Sequence, residues 1–198
     1  CDAQALAVAL VRGAFEYQGQ KCSAASRAYV QKSMWNDVRD RMAAMLADVK
    51  MGDVRDFSNF VGAVIDARSY AKLKGAIDAA KSSKDAKVVL GGACDDRVGY
   101  FVQPTVIEAL DPKYDTMCTE LFGPVLTIHV YDDAKWSETR FLLWERENCV
   151  FVGRGEEAGA VKIESDRVLR RQAGTIATSN SQRSTLNAQL AGGAGQHT

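Results

Sequence analysis

The sequence has no excess of charge of either sign. Lys and Arg number 25, Asp and Glu number 25, and His129 and His197 count as neutral. With no basic surplus there are no phosphate counterions to release, which excludes a nucleic-acid binder driven by bulk charge. Paired cysteines are also lacking. Cys1, Cys22, Cys94, Cys118 and Cys149 include no C-x-x-C pair, and the two histidines lie far apart. A disulfide scaffold and a structural metal site are therefore not expected, and a reducing compartment fits better. No apolar run approaches the ~20 residues that a membrane span needs. The first residues show no basic region followed by an apolar core, so no secretory leader is read there. An initiating Met is absent too: the chain opens Cys1-Asp2-Ala3, as a processed chain or a piece of a longer one would.

What is present is the composition of a folded domain. The 198 residues are 46% hydrophobic and 25% charged, close to the average for globular proteins. That excludes a wholly disordered chain. The length can bury the core of one large domain or two small ones.

Periodicity places the elements. Leu6, Leu10 and Ala14, with Val11 beside them, predict a helix over 3–16 that runs into Gly19. Ala24–Val30 leads into a strand. Trp35, Val38, Met42, Met45 and Val49 predict a helix over 34–49, with Ser33 as its N-cap and Gly52-Asp53 as its end. Tyr70, Leu73, Ile77 and Ala80 predict another over 66–81. Lys87–Leu90 is β-rich and stopped by Gly91-Gly92. Gly99–Ala109 is strand-like but interrupted by Pro104, which suits an edge strand or a break. Val125–Tyr131 alternates as a half-buried strand would. Helices alternating with short strands favour an α/β class. No internal repeat is found. Residues 140–171 are charged, with weak helical periodicity. Residues 172–198 hold one charged side chain, Arg183, and no aromatic ring, so they read as an irregular or disordered tail.

The chemistry centres on Gln18-Gly19-Gln20-Lys21-Cys22-Ser23-Ala24. A thiolate is a strong nucleophile, and a cation such as Lys21 beside it would favour that form. The competing reading is a buried structural cysteine. Ser23 by itself reads as a hydroxyl capping the turn. About a hundred residues later comes Glu120-Leu121-Phe122-Gly123-Pro124-Val125. On residue types alone this is a solvated acid, a core ring and a turn before a strand. His129 reads as satisfying a local hydrogen bond. Cys94 and Cys118 fall near turns, and Asp95-Asp96 reads as a solvated turn. Gly91-Gly92 is too short for a phosphate-binding fingerprint.

Taken together, these segments resemble the aldehyde dehydrogenase superfamily. Its signatures are a Gly-Gln-x-Cys nucleophile segment and, downstream, Glu-x-Phe-Gly-Pro. Both occur here at suitable separation. Longer strings are similar to the branch that oxidises glutamate γ-semialdehyde, the Δ1-pyrroline-5-carboxylate dehydrogenases. They are Phe15-Glu16-Tyr17 running into the cysteine segment, Ala63-Val64-Ile65-Asp66-Ala67, Gly91-Gly92-Ala93-Cys94-Asp95-Asp96 and Val98-Gly99-Tyr100-Phe101-Val102-Gln103-Pro104-Thr105.

The resemblance implies an α/β catalytic domain with an open, mostly parallel sheet, flanking helices and an irregular C-terminal tail. Residues 1–139 would be the thiol-nucleophile portion and 140–198 a divergent continuation. It implies NAD-dependent oxidation of L-glutamate γ-semialdehyde to L-glutamate in proline catabolism. Cys22 matches the nucleophile, and Glu120 and Phe122 match residues that hold the NAD ribose and flank the nicotinamide. Ser23 matches a residue holding the substrate carboxylate, and Ser184 is the candidate for the later substrate-anchoring loop. The implied partner is a small-molecule aldehyde, with no metal, nucleic acid or membrane and with a homo-oligomer for the full-length enzyme. The compartment would be the mitochondrial matrix in a eukaryote or the cytoplasm in a bacterium. The alternatives are a dehydrogenase for another aldehyde, or a non-catalytic fragment acting in subunit interaction.

The match also predicts gaps. The family pattern places the glycine-rich dinucleotide segment, the general-base Glu and the oxyanion Asn upstream of Cys22, so the isolated chain is expected to have little or no activity. After Thr139 the similarity fades. Val168–Gly174 is similar to a Leu-Arg-x-x-Ala-Gly piece. Gly192-Gly193 follows Leu190-Ala191, where Pro-Phe is expected. A divergent, misassembled or frame-shifted end would produce this pattern.

Overall fold

The computed structural model describes residues 2–135, 139, 149–151 and 162–164. The first helix, α1 (Ala3–Phe15), starts where the Asp2 carboxylate accepts the Ala5 N–H at 2.8 Å. That bond satisfies one of the donors a helix start leaves open. Its buried face is the predicted one, Leu6, Leu10 and Ala14, joined by Ala7 and Val11. A tight turn over Glu16–Gly19 follows. It leads on to β1 (Arg27–Gln31), α2 (Lys32–Ala47), α3 (Ala67–Ser82) and β2 (Ala86–Leu90). Next come β3 (Cys94–Asp95), β4 (Phe101–Val102), β5 (Thr105–Ala109), the one-turn helix α4 (Asp115–Cys118) and β6 (Val125–Tyr131). The last described strands are β7 (Cys149–Phe151) and β8 (Lys162–Glu164).

Six strands form one sheet in the order β2-β5-β6-β1-β7-β8. The β5–β6, β6–β1 and β1–β7 pairs are parallel, while the outer β2–β5 and β7–β8 pairs are antiparallel. This is the mostly parallel α/β sheet that the sequence implied. β3 and β4 pair separately. α1 and α2 pack on one face against Ala28, Val30, Val106, Leu126 and Ile128. α3 packs elsewhere, through Tyr70, Leu73, Ile77 and Ala80, against Ile107 and Val125.

Three sequence expectations change, and the alternatives left open at Pro104 are decided. β6 is buried along most of its length, not half-buried, because a central parallel strand is covered on both faces. Pro104 marks a break rather than an edge strand. It precedes β5, which lies inside the sheet, so its missing N–H interrupts no ladder. Ser33 is not the N-cap of α2. It sits inside the first turn, and its N–H and hydroxyl both donate to the carboxylate of Asp133, at 3.1 and 2.5 Å. A side chain 100 positions away thus does the capping, and α2 ends at Ala47, ahead of Gly52-Asp53. Finally, the weak helical pattern over 140–171 holds two short strands, β7 and β8. Three residues are too few to show a period of two, and pairing decides their conformation, β7 with β1 and β8 with β7. The tail over 172–198, and Ser184 with it, lies outside the described residues.

Candidate active site

After α1 the chain takes a left-handed path. Tyr17, Gln18 and Gly19 have φ of 51°, 57° and 64°. At Gly19 the reason is steric. A Cβ there would stand 2.4 Å from the Gly123 carbonyl oxygen and 2.7 Å from that of Ala14. Only glycine fits, and through it the two motif segments touch backbone to backbone across about a hundred residues of sequence.

Side chains add to this join. The Gln20 carboxamide oxygen accepts the Ile65 N–H at 3.0 Å. The Gln18 carboxamide bridges the Tyr17 carbonyl at 3.0 Å and the Gly62 N–H at 2.6 Å. Lys72, on α3, donates to the Glu120 carbonyl at 2.8 Å. Three segments distant in sequence, 17–24, 62–72 and 120–123, are thereby fixed to one another.

Cys22 lies on the turn closed by the Ala24 N–H donating to the Lys21 carbonyl at 3.0 Å, and its free thiol is exposed. Ser23 beside it is exposed as well. The exposure of Cys22 removes the buried-cysteine reading. Lys21, which the sequence set beside the thiol, is engaged by other groups. Its ammonium lies 3.3 Å from the Glu16 carboxylate and 5.6 Å from the centroid of the Tyr17 ring. Arg12 also pairs with Glu16, at 2.5 Å. The Arg12 guanidinium above all, with Lys21 adding to it, holds the Glu16 carboxyl below its ordinary value against the opposing effect of partial burial.

Between the three segments lies a cavity of about 570 Å³, within the range of small-molecule sites. Tyr17, Gln18 and Gln20 line one part. Ile65, Asp66, Arg68, Ser69 and Lys72 line a second, and Leu121 and Phe122 the third. Phe122 is 44% exposed and left-handed, with φ of 58°. Cys22, Ser23 and Glu120 stand outside this lining, although each is within a few residues of a wall residue. The start of α3 is the part of the site that sequence reasoning missed. Its signal was present: Asp66 caps the helix through the Ser69 N–H at 2.7 Å, and Arg68 and Lys72 follow one turn apart.

The remaining candidates are structural. His129 Nδ1 lies 2.9 Å from the Ala109 carbonyl, with its ring edge-on to Tyr29, which is the local bond expected of it. Burial pushes the Cys94 thiol up, and the Cys118 thiol donates to the Lys113 carbonyl. Asp95 is pulled down to about 2 by its hydrogen bonds from Arg97. Gly92 is held by Lys81, whose ammonium donates to its carbonyl at 2.7 Å. Among the described residues no cluster of His, Cys, Asp or Glu could hold a metal ion, and no helix is long and apolar enough to cross a membrane.

Comparison with known proteins agrees with the fold. The model of the aldehyde dehydrogenase family matches residues 1–136. The mitochondrial Δ1-pyrroline-5-carboxylate dehydrogenase of Dictyostelium discoideum is 54% identical over 129 residues, which is 65% of this chain and 23% of that protein. The human mitochondrial enzyme of the same name is 40% identical over 178 residues, 88% of this chain and 31% of that protein. An alignment of that length reaches past residue 139. The crystal structure of the Δ-pyrroline-5-carboxylate dehydrogenase from Mycobacterium tuberculosis bound with NAD superposes with a TM-score of 0.69 at 38% identity, covering 79% of this chain and 29% of that one. The chain therefore spans about a quarter to a third of the length of the relatives it matches.

Proposed function

The chain belongs to the aldehyde dehydrogenase family, and from that premise we propose that it supplies the thiol-bearing catalytic portion of an NAD-dependent dehydrogenase. The substrate in this reading is L-glutamate γ-semialdehyde, oxidised to L-glutamate in proline breakdown. The observation that carries it is the contact of Gly19 with Gly123, which joins the segment bearing the exposed Cys22 to the segment bearing Glu120 and Phe122. The relatives named Δ1-pyrroline-5-carboxylate dehydrogenase support the choice of substrate.

Cys22, as thiolate, attacks the aldehyde carbon to give a thiohemiacetal. Its own backbone N–H is a donor for the oxyanion, and such preorganised donors are a large part of catalysis in acyl chemistry. NAD, when bound, supplies the acceptor for the hydride that leaves this tetrahedral carbon. Water then hydrolyses the resulting thioester, releasing the carboxylate product and the free thiol. The residues present suit the cofactor. Glu120 is a half-buried carboxylate able to accept from ribose hydroxyls, and Phe122 offers an exposed ring at the cavity wall. Ser23 is placed beside the nucleophile to hold the substrate's carboxylate.

In this reading residues 1–139 are the catalytic portion, residues 140–198 are a divergent continuation, and Ser184 is the candidate substrate anchor. The full-length enzyme is a homo-oligomer. It resides in the mitochondrial matrix in a eukaryote, as the names of the relatives suggest, or in the cytoplasm in a bacterium.

The test is NAD-linked turnover by a chain extended to the length of its relatives. A kcat/KM clearly higher for glutamate semialdehyde than for propanal, and no turnover in Cys22→Ser, are expected. Equal values for the two aldehydes would overturn the substrate. Turnover retained by Cys22→Ser would overturn the nucleophile.

A further inference from the structure

The non-glycine residues with left-handed backbone among the described residues are Tyr17, Gln18 and Phe122, and all three line the same cavity. A side chain in this conformation is strained, and it persists where the surroundings over-determine it. Gln18 has an evident structural task, since its carboxamide bridges Tyr17 and Gly62. Phe122 belongs to the motif already assigned. Tyr17 has neither excuse. It is a large aromatic side chain, 73% exposed, on a strained backbone, at the wall of a cavity.

Its ring is nevertheless fixed in place. The Lys21 ammonium lies over it at 5.6 Å, and Glu16 holds that ammonium at 3.3 Å. Arg12 in turn holds Glu16. A chain of charges thus anchors one solvent-exposed ring, which is an unusual investment for a side chain without a contact to make. An aromatic ring offers its large apolar surface at small entropic cost, and it favours planar partners.

We propose that Tyr17 is a ligand-contacting residue of this cavity, a second aromatic wall besides Phe122, against which the planar nicotinamide ring of the dinucleotide packs. The proposal rests on the dehydrogenase reading above. It adds a determinant that lies in the nucleophile segment itself. Lys21 is then a positioning residue: it is tied to Glu16 and keeps the Tyr17 ring at the wall.

The experiment compares wild type, Tyr17→Phe and Tyr17→Asn in a chain extended to the length of its relatives. Asn tolerates the left-handed backbone but removes the ring. NAD affinity is measured by titration, kcat and KM for NAD by turnover, and loop integrity by the rate at which iodoacetamide labels Cys22. Tyr17→Asn is expected to weaken NAD binding and raise its KM about fivefold, as loss of one aromatic contact would, with Cys22 labelling unchanged. Tyr17→Phe is expected to bind as wild type does. Unchanged NAD affinity in Tyr17→Asn would overturn the proposal and leave the dehydrogenase reading standing. So would a loss that Tyr17→Phe shares, because that would place the effect on the hydroxyl. Absence of NAD binding by wild type would overturn both.

Discussion

Replacing Gly19 by Ala probes the join on which the site depends. The added methyl would lie 2.4 Å from the Gly123 carbonyl oxygen and 2.7 Å from that of Ala14. Both obstacles are backbone, so no side chain can swing aside. Ordinary contact would require the nucleophile loop and the 120–123 turn to separate by about 1 Å, and overpacking of this kind costs about 1–3 kcal/mol. Holding Ala at φ of 64° adds about 1–2 kcal/mol. The expected loss is about 2–5 kcal/mol, a large share of a typical domain's stability. Urea denaturation would show a lower midpoint, and peptide mapping after iodoacetamide would show a changed labelling rate at Cys22. Gly75→Ala is the control. Gly75 lies within α3 with nothing within 4 Å of its added methyl, so the same substitution is expected to stabilise by about 0.5–1 kcal/mol. A Gly19→Ala chain within about 0.5 kcal/mol of wild type, the usual range for neutral surface changes, and with unaltered Cys22 labelling, would refute the argument.

Removing the distant cap with Asp133→Ala is expected to cost about 1 kcal/mol in urea denaturation, the usual worth of an N-cap, and to speed amide exchange in the first turn of α2. Glu16→Gln should narrow its stability difference from wild type as pH falls. A carboxyl held below its ordinary value stabilises the fold above that value, and the contribution is lost as pH drops through the folded value. The midpoints of the two chains should differ by less than about 1 kcal/mol at pH 7 and converge in acid. A gap that widens in acid would contradict the pairing with Arg12 and Lys21.

Much of the fold was legible because the helices are amphipathic. α3 occupies 67–82 where the apolar spacing put 66–81, and α1 buries the predicted face. What was not legible was set by distant residues. The cap of α2 comes from Asp133, beyond any local window. β6 alternates in sequence as a half-buried strand would, yet it is covered on both sides, which depends on where the helices dock rather than on β6 itself. The site divides in the same way. Motif strings pointed to Cys22 and Glu120–Phe122, but their meeting rests on Gly19, whose need for a bare backbone appears only when Gly123 stands opposite. Lys21 was read from adjacency as the partner of Cys22, whereas Glu16 and Tyr17 hold it through the left-handed turn. The walls supplied by Arg68 and Lys72 escaped notice because Asp66 and the spacing mark a helix start, and exposed cations on a helix are too common to point to a site by themselves.

The central claim is that Cys22 forms the covalent intermediate. The direct measurement is an acid quench of the extended chain during turnover with glutamate semialdehyde and NAD, followed by peptide mapping by mass spectrometry. The account predicts an acyl adduct on the peptide carrying Cys22 and none on those carrying Cys94 or Cys118. An adduct on either of those cysteines, or steady turnover with Cys22 unmodified and replaceable by Ser, would contradict it.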